Sequence, residues 1–457
     1  MLGIFILIFT WLSFEFAYLK PWLDRPTNLI VLTLILAGSG YLLLLVSLRK
    51  GDFLSLTAIV LSGLFLRVFM VPSTPVFEDD FYRYFWDAEL TAQGINPYSI
   101  APIDALPSPF PEDAQAEKNP QFKPLEALVY LDRVAYPTIR TIYPPVIQAV
   151  FALSHWIAPA NLLVWRSLLL VFDCVSVFLL GLLLRQLGKN SKWVAVYWLN
   201  PMMIVTTING AHMDVLLIPF LIGTALFALK HRFTVSGLLL ATAVGVKLWP
   251  VILAPLIFKP LFKYPKQLLA SAIPFALVCG LLVTPQLATQ LDPQAGLVAY
   301  SSTWHTNAFV YTLIQKVMVF ALGLGTTGWF DPLLLSRLVV LVGVGTVLVF
   351  FTQSIKDDPD KYAQSLIVAI LGVTATLFLL SPTGYPWYFL WLLPWLAIRP
   401  NAGLLLLTAT LPIYYLRYPL SINNESQLFD NYWVTLEFLP SLLLIAYGLL
   451  RTANRDR

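Results

Sequence analysis

Charge and cysteine are what this chain has least of. Only 12% of its 457 residues are Asp, Glu, Lys or Arg, against 58% hydrophobic residues. A soluble domain could not hide that much apolar surface behind so few charges. The net charge of +4 is small and scattered, which argues for no nucleic-acid partner. Cys174 and Cys279 both lie inside apolar runs, so no disulfide framework is implied. With two cysteines and four histidines there is no C-x-x-C, H-E-x-x-H or Ser-His-Asp spacing. Internal repeats and low-complexity tracts are missing as well.

What the chain has in abundance is long apolar runs. Mean hydropathy is +0.74, and runs of about 20 apolar residues read as membrane-spanning helices. Spans are expected near residues 2–19, 28–48, 53–72, 161–184, 193–209, 212–229, 267–287, 331–353, 362–381, 386–398, 401–416 and 434–451. The first carries Glu15 and lacks a basic n-region, so it reads as a retained span rather than a signal peptide. Three shorter pieces, 143–158, 233–258 and 308–325, contain proline or charge and read as re-entrant segments lining a cavity. Fourteen tryptophans suit two water–lipid boundaries.

The expected fold is therefore an all-α integral membrane protein, a helical bundle of about 12 full spans plus re-entrant segments. Basic clusters at Arg49-Lys50, Arg185 to Lys192, Lys230 to Arg232, Lys259 to Lys266 and Arg451 to Arg457 all fall on the cytoplasmic side in that arrangement. The acidic stretch 73–142 then falls outside. Its prolines (Pro107, Pro109, Pro111, Pro120, Pro124) suggest an irregular cover over a membrane cavity.

The chemistry concentrates where that outer loop begins. Glu78, Asp79 and Asp80 are three consecutive carboxylates at the end of an apolar span, and ionisable groups near hydrocarbon are costly unless used. A helix starting here puts Asp80, Tyr84, Asp87 and Thr91 on one polar stripe. Phe81, Phe85, Ala88 and Ala92 line the neighbouring stripe, and Gly94 and Pro97 end the helix. Such a helix is expected to lie in the interface plane with its aromatics in lipid. The plainer alternative is an anchoring helix with a solvated acidic edge. Adjacent carboxylates raise one another's proton affinity, which brings a weak base toward neutral pH. Asp79 and Asp80 are equal candidates for a general base, with Glu78 the third.

Other candidates lie further along. His212 and Asp214, in NGAHMD, read either as a phosphate- or sugar-binding His with Asp214 at a helix N-terminus, or as a simple cap. Lys247 lies in an apolar stretch broken by Trp249-Pro250. Its ammonium needs either a phosphate partner or a route to the cytoplasmic surface. Trp304, His305 and Asn307 form a polar-aromatic group in a loop. Tyr385, Trp387 and Tyr388 occupy a rigid Pro- and Gly-containing turn; both groups suit sugar contact or an interfacial belt. Gly323 to Gly328 matches a dinucleotide fingerprint without a preceding strand, and Asn424-Glu425-Ser426 fits a glycosylation sequon; neither bears on activity.

Several stretches together resemble a known group. They are DDFYRYFWDAELTAQGINPY with Ala101-Pro102, TIYPPVIQAVF, LNPMMI with NGAHMD, GVKLWPVILAP and PWYFLWLLP. In this order they are similar to the GT-C membrane glycosyltransferases, closest to bacterial mannosyltransferase-like proteins of glycosyltransferase family 87 and to relatives of the first GPI mannosyltransferase. The resemblance implies one transmembrane unit over residues 1–457, with 73–142 as the extracytoplasmic catalytic loop. It implies a plasma (inner) membrane hexosyltransferase, for mannose first of all, that uses a polyprenyl-phosphate sugar donor, inverts, and acts on a glycan or lipid acceptor. A loop Asp, Asp79 or Asp80, would be the base, with His212 or Lys247 near the phosphate. Tyr84, Trp86, Asp87, His305 and Tyr385 would shape the sugar pocket, with Asp214 beside them. Two extra spans precede the usual first one, and the family's D-x-D pair is here Glu78-x-Asp80, which leaves a divalent cation open. The rival readings are a transporter or lipid-carrier flippase, which would need symmetric halves, and a non-catalytic sugar-lipid binding protein.

Overall fold

The computed structural model describes residues 26–51, 54–105, 130–289, 291–321 and 331–453. The expected first span, most of the Pro-rich cover and the Gly323 to Gly328 segment lie outside these residues. The described chain is helical, with no strand and a single isolated bridge between Thr306 and Thr383.

Helix starts follow local chemistry. Asn161, Asp331, Asp358 and Asn401 each accept a hydrogen bond from a first-turn backbone N–H, and proline follows at N1 in two of these, Pro332 and Pro359. The principal helices are α1 (Thr27–Lys50), α2 (Leu56–Met70), α3 (Phe81–Ala92), α4 (Pro145–Ile157), α5 (Leu162–Gln186), α6 (Leu217–Leu229) and α7 (Phe233–Val246). They continue as α8 (Pro265–Leu287), α9 (Phe309–Ala321), α10 (Pro332–Ser354), α11 (Pro359–Leu380), α12 (Ala402–Thr410) and α13 (Val434–Ala453).

Six helices among the described residues are long and apolar enough to cross a membrane, or seven if one bent pair counts as a span. This makes the protein an all-α, multi-span membrane protein. Several expected spans take another form. The runs 193–209 and 212–229 are one chain bent by 103° between Pro201–Asn209 and Met213–Leu229. Residues 386–398 and 401–416 are short helical and 3-10 pieces rather than straight spans. Hydropathy records that a run is apolar and says nothing about where it bends, and these broken runs are the most buried part of the molecule. Every residue from Val194 to Pro219 is buried, as is every residue from Pro386 to Ile398. By contrast, α10 buries only 6% of its spanning window and α8 17%, leaving Leu281, Leu341 and Phe350 facing outward.

The bundle has two chemically different ends. At one, Lys263 pairs with Asp357 at 2.5 Å and the His231 ring packs on Tyr362. At the other, Arg140 pairs with Asp292, Gln286 donates to the Ile142 carbonyl, and Asn307 meets Gly384. The acidic triplet belongs to this second end.

Candidate active site

The triplet is held by the segment that precedes it. Asn209 donates to the Ser73 hydroxyl (2.7 Å) and the Thr74 carbonyl (2.8 Å), and accepts from the Val76 amide (2.8 Å). Arg166 donates to the carbonyls of Val71, Ser73 and Asn209. Residues 71–76 are thereby fastened to the bend in the buried chain. Gly210 lies at that bend, and a Cβ there would stand 2.8 Å from the Thr206 carbonyl oxygen and 3.4 Å from Glu78 Cγ. The absence of a side chain lets the acidic loop close onto the bend.

Asp80 is the N-cap residue of α3, with no side-chain capping bond, so its carboxylate is free to face elsewhere. It lines a cavity of about 450 Å³ with Glu78, Asp79, Tyr84, Asp214 and Lys247. The expected lipid-facing stripe of α3 is not observed. Phe81 and Phe85 are buried and pack against Tyr82 and Tyr130, while Tyr84 stacks on Phe151 on the other side. Helical periodicity marks a face as apolar without saying whether lipid or protein covers it; here it is protein.

The two other candidates on α3 are not in the cavity wall. Trp86 is fully buried. Asp87, also fully buried, accepts from Arg83 Nε (3.1 Å), Gln148 Nε2 (2.9 Å) and the Thr141 hydroxyl. It is a strut joining α3 to the chain that returns into α4.

The bend delivers Asp214 to the opposite cavity wall and His212 behind it, where His212 does not itself line the cavity. The His212 ring is fully buried and stacked on Trp387 at 3.7 Å, and Trp387 stacks on Tyr385 at 4.5 Å. Its Nδ1 stands 3.7 Å from Asp80 Oδ2, and neither ring nitrogen has a hydrogen-bond partner among the described residues. Asp214 makes no helix cap. It accepts from Lys247 Nζ (2.7 Å) and Trp391 Nε1 (2.9 Å), and the same ammonium lies 3.7 Å from the Tyr388 ring centroid. Lys247 thus turns into the cavity and does not snorkel away.

The three carboxylates differ. Asp79 is exposed at the rim; burial raises its pKa, while a backbone hydrogen bond and Arg133 lower it. Glu78 is buried and accepts from the Tyr418 hydroxyl at 3.3 Å; burial, then Asp80 and Asp79, hold its pKa well above the usual range. Asp80, about a third exposed (31%), is pushed up to about 7 by burial, Asp79 and Asp214, against the opposing pull of Lys247. Of the three, Asp80 stands against His212, and its pKa is the one raised to about 7.

Sequence reasoning missed two contributors. Arg417 lines the cavity, donates to the Tyr414 and Thr306 hydroxyls, and has no carboxylate partner among the described residues. A lone arginine past an apolar run gives no signal of this. Glu437, fully buried in α13, accepts from Asn307 Nδ2 at 2.8 Å, and the same amide donates to the Gly384 carbonyl at 2.9 Å. At Gly384 a Cβ would fall 2.2 Å from the Asn307 carbonyl oxygen, so only glycine permits this approach. The clamp fixes the turn that presents Tyr385 and Trp387. His305, in contrast, is exposed, bonds the Thr312 hydroxyl at 3.1 Å and does not line the cavity. Among the described residues no group of three or more His, Cys, Asp or Glu side chains is arranged to share a metal ion.

Comparison with known proteins bears on the same region. Residues 133–262, which include His212, Asp214 and Lys247, match the family model described as alpha-(1->6)-mannopyranosyltransferase, N-terminal domain. The chain is 23% identical over 399 residues to alpha-(1->6)-mannopyranosyltransferase A of Mycobacterium tuberculosis, covering 84% of this chain and 72% of the relative. No solved structure matches significantly. The multi-span helical fold and these two likenesses mark the chain as a GT-C mannosyltransferase-like membrane protein.

Proposed function

We propose that the protein is a hexosyltransferase that moves mannose from a polyprenyl-phosphate donor to a hydroxyl of a glycan or lipid acceptor. The reaction takes place at the extracytoplasmic face of the plasma membrane, with 73–142 as the catalytic loop. The observation that carries this reading is the Asp80 carboxylate, poised near pH 7 in a cavity it shares with the Lys247–Asp214 pair and with Arg417.

The acceptor oxygen attacks the anomeric carbon of the donor. Its proton passes to Asp80, and the bond from that carbon to the phosphate oxygen breaks, with the electron pair leaving on the phosphate. Attack opposite the leaving group inverts the anomeric centre. A base with a pKa near the working pH combines a large deprotonated fraction with useful basicity. Arg417, with no carboxylate partner among the described residues, is suited to the growing phosphate charge. Lys247, shared with Asp214, contributes a weaker positive field. Tyr385 offers a ring face to the transferred sugar, and Trp387 and His212, stacked behind it, fix its position beside Asp80.

The test is transfer from a panel of labelled polyprenyl-phosphate sugars in liposomes. The expected result is mannose transfer by wild type and about 10³-fold slower transfer by Asp80→Asn, with donor binding retained. Full activity of Asp80→Asn would move the base elsewhere. Failure of wild type with every donor, together with carrier-lipid flipping, would replace the enzyme by the flippase reading.

A further inference from the structure

One buried polar side chain serves the chemistry above only by packing. His212 is fully buried, and neither Nδ1 nor Nε2 has a hydrogen-bond partner among the described residues. Its ring is held in place. Trp387 covers it at 3.7 Å and 13°, and a Cβ at Gly210 would stand only 3.2 Å from His212 Cδ2. Asp80 Oδ2 lies 3.7 Å from Nδ1, about 0.8 Å beyond an ordinary hydrogen bond. The carboxylate has the freedom that the ring lacks, since it makes no capping bond and lines the cavity. A ring needed for stacking alone would stack as well without nitrogen. Two buried polar atoms left unpaired cost free energy that a phenyl group would not.

We infer that His212 is a positioning residue for the base: in the loaded site its Nδ1–H donates to Asp80 Oδ2 and turns Oδ1 toward the acceptor hydroxyl. The inference rests on the reading of Asp80 as the base. Catalytic hydrogen bonds that are long in an empty site tighten when substrate fills it, and excluding water strengthens them. A neutral imidazole has a single N–H, and the Nδ1–H tautomer gives it to Asp80. The proton taken from the acceptor stays on Asp80 Oδ1, while His212 keeps its own throughout. The fixed ring thus sets the direction of a carboxylate that the start of α3 leaves free to rotate.

The test compares three variants with polyprenyl-phosphate mannose as donor and octyl α-mannoside as acceptor. His212→Phe keeps a stacked ring and removes the donor. His212→Asn puts an amide N–H near the place of Nδ1, and His212→Gln puts one near the place of Nε2. For His212→Phe, kcat should fall about tenfold with both KM values within about twofold, as for a misdirected base. Losing a hydrogen bond to the charged carboxylate raises its pKa, so the acid limb of kcat should move up by about one pH unit. The limb of kcat/KM, which reports the free enzyme, should stay. Glu78, Asp79, Asp214 and Lys247, the charged groups that act with Asp80, are present in every variant. His212→Asn should recover most of the rate and return the limb, and His212→Gln should not. A folded His212→Phe protein with wild-type kcat and an unmoved limb would overturn the inference. Should that variant not fold, equal rates for the Asn and Gln variants would overturn it. Nitrogen-15 NMR of histidine-labelled protein, with His212 assigned by its loss in His212→Asn, reads the tautomer without turnover. The Nδ1–H form in a protein that transfers no sugar would leave the pair standing while the transferase reading fell. Transfer that needs Asp80 but is indifferent to His212→Phe would do the reverse.

Discussion

Two of the buried clusters that pair a cation with an acid, Arg67–Asp173 and Lys247–Asp214, are built to opposite ends. In the first, inside the bundle, Arg67 Nε meets Asp173 Oδ2 at 2.5 Å and Tyr197 donates to Asp173 Oδ1 at 2.5 Å. Arg67 also reaches the Gly63 and Trp198 carbonyls (3.1 and 2.7 Å) and lies 3.6 Å over the Trp198 ring. Both charges are 1% exposed. In the second, Lys247 and Asp214 are paired and line a cavity together with Asp80, which stands 3.7 Å from a His212 that has no hydrogen-bond partner among the described residues. A satisfied cluster in a closed site holds helices together. One that leaves a carboxylate and an imidazole unpaired keeps its capacity for something that arrives.

The comparison breaks most visibly at its acids. Asp80→Asn should lower kcat by about 10³-fold, the middle of the range for removing a general base, with the thermal unfolding midpoint in detergent unmoved. Asp173→Ala should do the reverse. It leaves Arg67 buried and unpaired, a loss of about 3–5 kcal/mol, read as a lower unfolding midpoint and lower yield, while activity per folded molecule is kept. A folded, inactive Asp173→Ala protein would erase the distinction.

Lys247→Met sharpens it from the cationic side. Removing the ammonium takes away the one group that lowers the Asp80 pKa, so the acid limb of the pH–rate profile should move to higher pH. Loss of its field on the leaving phosphate should cost about 10²-fold in kcat. If kcat falls and the limb stays in place, Lys247 does not act on Asp80.

The two clusters were unequally legible in the sequence. The acidic triplet announces itself by position, and the end of α3 at Gly94 (φ 75°) is where glycine places it. Lys247 in an apolar run demanded a partner, but the partner is Asp214, 33 residues away, and nothing local couples them. The satisfied cluster was invisible for the same reason, since Arg67 and Asp173 lie 106 residues apart. Arg417 and Glu437 gave no signal because each acts on residues far away in the chain, Thr306 and Asn307. The bend at Gly210 to His212 was read as two spans because hydropathy does not record turning, and that bend is what places His212 beside Asp80.

The smallest effect is the most discriminating. Asp79 and Asp80 are neighbours that the sequence treats as equals, and their environments separate them. Asp79 raises the Asp80 pKa through its charge. A raised carboxylate pKa keeps the base protonated at low pH, so wild-type kcat/KM should climb as pH rises through about 7 and then level off. Asp79→Asn removes the neighbouring negative charge, which lowers the Asp80 pKa and moves the climb to lower pH. The alkaline plateau should stay within about twofold, since the base itself is intact and only its tuning has changed. At pH 6 the variant should therefore be the faster enzyme. An Asp79→Asn protein that is inactive at every pH would exchange the roles of the two residues. One with an unshifted limb would mean that the titrating group is not Asp80.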